Sequence, residues 1–77
     1  MTLEEIVEYQ AEESIRGELA REFVGILSDY QTGALTIEDK NLMITEILNS
    51  CQSSELAQDE VIMRWAVSAA TTAVNII

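Results

Sequence analysis

Apolar side chains recur three and four residues apart along most of this chain, and no proline interrupts them. That spacing is the period of one helix face, whereas a strand alternates every second residue. With 77 residues the chain can close one core, so a single domain over residues 1–77 is expected. A core of that size lies near the lower limit for independent stability, which favours a partner or self-assembly. Nearly half the residues are hydrophobic and only three are glycine, the composition of a packed helical protein rather than a disordered tail.

Capping signals divide the pattern into segments. Thr2-Leu3-Glu4-Glu5 reads as a capping box, with acids in the first turn where the helix dipole favours them. Leu3, Ile6 and Val7 open an apolar stripe that resumes at Ile15, Leu19, Phe23, Ile26, Leu27 and Tyr30. Gly33 is placed to end it as the C′ residue. One long helix over about residues 3–31 is expected, its polar stretch from Glu8 to Ser14 projecting beyond the core. Thr36 with Asp39 opens a second helix, over about 37–50, that buries Leu42, Met43, Ile44, Ile47, Leu48 and Cys51. The turn-rich run Asn49 to Ser54 leads to a third, over about 55–76. Short connections make the neighbours antiparallel. The fold class is therefore all-α: a three-helix bundle with a long first helix, expected to be oligomeric. Its predicted core is Ile15, Leu19, Phe23, Ile26, Ile44, Ile47, Leu48, Ile62, Trp65 and Ala69.

The last segment differs from the others. After Glu60 its polar residues fall on one line, Arg64, Ser68, Thr71, Thr72 and Asn75, and the rest is apolar or small. A helix apolar around so much of its circumference is central to a bundle or shared with another subunit. It is too short and too polar at Arg64 and Asn75 for a membrane span. Met63, Val67, Ala70, Val74 and Ile77 repeat at alternating four and three, the spacing of a coiled-coil seam. A homodimer through this row is expected, because a two-fold interface covers the same patch on both copies.

Charge narrows the function. Fourteen carboxylates face four basic residues, and there is no histidine. A net charge of -10 repels nucleic acid and anionic membranes, and it either favours a basic protein surface or serves solubility alone. Glu4, Glu8 and Glu12 stand four apart as an acidic arm for such a partner, although like charges at that spacing weaken a helix by a few tenths of a kcal/mol per pair. Gly17 and Gly25 fall inside the first helix, where each costs about 1 kcal/mol against alanine, and would let another helix approach closely.

Catalytic constellations are missing. Without histidine the commonest general base and metal ligand is absent. Cys51 has no activating base beside it and reads as a small buried hydrophobe. The glycines, eight apart, make no phosphate loop, and Asp29 to Lys40 lacks the alternating acids of a calcium loop. Glu-x-x-His, the usual di-iron signature, does not occur. No enzyme, cofactor or metal site is expected. One cysteine gives no intramolecular disulfide and the N-terminus lacks a secretory pattern, so the expected location is the cytoplasm.

Two stretches, Thr2-Leu3-Glu4-Glu5-Ile6-Val7-Glu8-Tyr9 and Gly33-Ala34-Leu35-Thr36-Ile37-Glu38-Asp39-Lys40, resemble the small, acidic, helical accessory proteins of tailed bacteriophages. The resemblance implies action in the host cytoplasm, in virion assembly or by binding a host protein, and it assigns no residue a role. Two readings compete: a non-enzymatic inhibitor or adaptor that binds another protein, and an assembly subunit that works by self-association.

Overall fold

In a computed structural model, which describes every residue from Met1 to Ile77, the backbone leaves the helical path between Gln10 and Ser14. The expected helix over 3–31 is thus two helices, α1 (Leu3–Tyr9) and α2 (Ile15–Gln31). They are followed by α3 (Ile37–Gln52), a 3-10 turn (Glu55–Gln58) and α4 (Glu60–Val74), with no strand. The three-helix expectation is corrected to four, and α1 does not project. A continuous helix would have carried Leu3 and Ile6 into water. The break folds α1 back so that Ile6 is fully buried and Leu3 and Tyr9 pack on the core.

Local chemistry permits that break. Ser14 serves as a new N-cap, its hydroxyl accepting from the Gly17 amide at 3.3 Å. The incoming backbone crosses so close to Gly17 that a Cβ there would lie 1.8 Å from the Glu12 carbonyl oxygen. Only glycine fits. Gly17 therefore admits the chain's own backbone rather than a second helix.

The other boundaries follow their caps. Gly33, at φ 85°, closes α2 in a Schellman arrangement, with Ala34 N–H donating to Asp29 O at 2.8 Å and Gly33 N–H to Tyr30 O at 3.2 Å. Thr36 Oγ1 accepts from Asp39 N–H at 3.1 Å and opens α3, which runs two residues past the expected Ser50. The expected third helix starts late. Asp59 accepts from the Val61 and Ile62 amides at 3.1 and 3.2 Å, making it the N-cap of α4 and leaving residues 55–58 as the 3-10 turn.

One apolar cluster joins all four helices. Leu19, Phe23, Ile26, Ile44, Trp65 and Ala69 are buried in it as expected, while Ile47, Leu48 and Ile62 are half-buried. Ile15 is exposed instead, because the break makes it the first residue of α2. α4 packs against each of the other three helices. It does so through Ala66, Ala69, Ala70 and Ala73, whose small side chains let neighbouring backbones come close. This central position accounts for its wide apolar circumference. No helix is long and apolar enough to cross a membrane.

Candidate functional site

The four basic side chains are all engaged within the fold, and this determines the character of the surface. Arg16 pairs with Glu12 at 3.1 Å and Arg64 with Glu60 at 3.3 Å. Arg21 donates from Nη1 to Gln10 O at 2.8 Å and Glu12 O at 3.4 Å, covering carbonyls at the end of α1. Lys40 is 0% exposed, and its Nζ donates to Ala73 O at 2.7 Å, Val74 O at 3.2 Å and Ile76 O at the end of α4. Its ammonium also sits over the Tyr30 ring, 5.1 Å from the centroid. Burial holds the Lys40 pKa below its ordinary value. Thirteen of the fourteen carboxylates are exposed, Glu12 alone being half-buried. With Glu12 and Glu60 paired, twelve carboxylates have no cationic partner.

The three residues of the expected acidic arm are separated by the break. Glu4 and Glu8 remain exposed on α1, but Glu12 lies in the turn beyond it. Its carboxylate accepts from Ser14 Oγ at 2.7 Å and from Arg16, and the Ser14 hydrogen bond holds its pKa below the usual value. Glu5, Glu8, Tyr9 and Glu12 surround one shallow depression, which Glu4 does not line. Behind it the Arg16 guanidinium sits 5.2 Å from the Tyr9 centroid, and the Tyr9 and Trp65 rings meet in a T-shaped contact with centroids 5.2 Å apart. The carboxylates thus stand on a docked corner of the fold.

The row expected to form a self-association seam is split as well. Ala70 is buried, and Val74 is half-buried beside Ile44 and Leu48 of α3. Met63 and Val67 open on another face, with Arg64 and Ser68, and Val67 is 42% exposed. Ile77 lies beyond the end of α4 and is 95% exposed.

A third feature, between α2 and α3, was not legible in the sequence. Leu19, Ile26, Ile47 and Cys51 form the apolar floor of a groove of about 290 Å³, and Met43, Ser50, Glu22 and Glu46 complete its lining. Both glutamates are exposed and neither is in an ion pair. Burial, and after it the Glu22 charge, pushes the Cys51 thiol pKa up. Lys40 was also missed. A signal existed: it stands four and seven residues before Ile44 and Ile47, on the buried face of α3.

No family profile, curated protein or solved structure matches this chain.

Proposed function

We propose that this protein is a non-enzymatic accessory protein, an inhibitor or adaptor, that binds a basic surface of another protein. One observation carries the reading: each of the four basic side chains already has a partner within the chain, while twelve carboxylates remain unpaired at the surface. Such a surface attracts cations over its whole extent and speeds encounter with a basic partner. At the corner of Glu5, Glu8 and Glu12, the carboxylates stand on backbone already fixed by the Tyr9–Trp65 contact, which lowers the ordering cost of binding. The likeness to bacteriophage accessory proteins favours a host protein as partner, met in the cytoplasm. The test is to recover the partner from a bacterial lysate and measure association against salt. The rate should fall as salt rises, since exposed charges are screened within about 10 Å at 0.1 M. Replacing Glu4, Glu8 and Glu12 by Gln should slow association further. A rate indifferent to salt and to these substitutions would overturn the reading.

Self-association through α4 is the second reading, favoured by the exposure of Val67 and Ile77 and the partial exposure of Met63. Light scattering decides it. A dimeric wild type that becomes monomeric in Val67→Glu supports it, and a monomeric wild type at micromolar concentration excludes it.

A further inference from the structure

The groove between α2 and α3 has a chemistry that selects its occupant. Its floor, with Ile26, Ile47 and Cys51, is apolar, and Met43, 37% exposed, offers a flexible thioether that adapts to the side chain laid on it. Glu22 on α2 and Glu46 on α3 flank that floor as free carboxylates. No lysine or arginine of the chain is available to close the groove, because all four are engaged elsewhere.

We propose that this groove docks a basic amphipathic helix of the partner protein, with the helix's apolar ridge on Met43 and Ile47 and its lysines or arginines against Glu22 and Glu46. The proposal rests on the basic-partner reading and moves the principal contact from the α1 corner to α2 and α3. Helix-in-groove recognition needs this combination: an apolar floor that takes anchors three and four residues apart, with charges at the rim to set orientation.

The test uses the full chain and a fluorescein-labelled peptide of leucine and lysine, roughly 15 residues or about four turns long, with its leucines at helical spacing. A peptide of identical composition with strict leucine–lysine alternation is the control. Saturable one-to-one binding of the helical peptide is expected, with amide shifts of the labelled protein concentrated at Met43, Glu46 and Ser50. Glu22→Gln with Glu46→Gln should weaken it about tenfold. Glu4→Gln with Glu8→Gln should change it less than about twofold. If the α1 pair carries the loss and the groove pair none, the groove is overturned and the basic-partner reading stands. If both peptides bind equally and both variants lose affinity alike, diffuse charge attraction is at work and the groove is again overturned. Absence of binding to either peptide at low salt overturns both.

Discussion

Two helix ends in this protein are closed in the same way at different depths. No helix carries a basic residue in its own last turn, so the exposed carbonyls at these ends depend on cations from elsewhere in the chain. At the end of α1 the donor is Arg21, exposed to water. At the end of α4 it is Lys40, wholly buried and held by three carbonyls and the Tyr30 face. The comparison teaches that the bond alone does not set its worth. Where water can replace the donor, loss of the donor costs little; at the end of α4, where Lys40 is buried and the Val74 and Ile76 carbonyls are part-buried, water replaces it less readily and the loss costs more.

The largest expected effect is therefore at Lys40. Lys40→Ala should destabilise the fold by about 4 kcal/mol, combining a cavity with unsatisfied carbonyls, as measured by urea unfolding. A loss no greater than that of Arg21→Ala would break the comparison. Gly17→Ala should cost about 3 kcal/mol, since the Glu12 backbone must move to make room for the methyl group. Hydrogen exchange should then quicken in α1 first, while the α3–α4 end keeps its protection.

Lys40→Met keeps most of the volume and loses the hydrogen bonds, with an expected cost of about 2 kcal/mol at neutral pH. Its pH dependence sharpens the point. Folding lowers the Lys40 pKa below its ordinary 10.5. Between that lowered value and 10.5 the unfolded chain therefore binds more protons, and this group's contribution to stability rises with pH. Relative to Lys40→Met, the wild type should gain stability as pH rises through that window, since the opposing contribution of the raised Cys51 thiol acts in both chains. Arg21→Ala should cost only about 0.5–1 kcal/mol, because solvent takes over the Gln10 and Glu12 carbonyls. Smallest of all, salt should raise the melting temperature by a few degrees by screening twelve unpaired carboxylates from each other. A melting temperature that falls with salt would mean the surface charges stabilise rather than strain the fold.

Much of the fold was legible because its signals are local. Thr2, Thr36 and Gly33 act on amides and carbonyls three to five residues away, and they stand where the spacing of residue types predicts. Ser14 and Asp59 are caps of the same kind, yet each lies inside a stretch that also reads as continuous helix. Choosing between the two depended on whether Ile6 and Tyr9 had a surface to return to, and Trp65 and Phe23 supply it from distant segments. The candidate sites divide likewise. The excess of acid was plain from composition, whereas Glu22 and Glu46 became a pair only when α2 and α3 met.

The all-helical class, the acidic surface and the helix starts at Thr2 and Thr36 are written in local pattern, because helix period and capping act within one or two turns. The break before α2, the splitting of the apolar row on α4 and the burial of Lys40 came from packing between distant segments. The hydrogen bonds of Lys40 span 33 to 36 residues. No local pattern encodes such a span: a lysine on an apolar face finds carbonyl partners only once α4 has packed its end against α3.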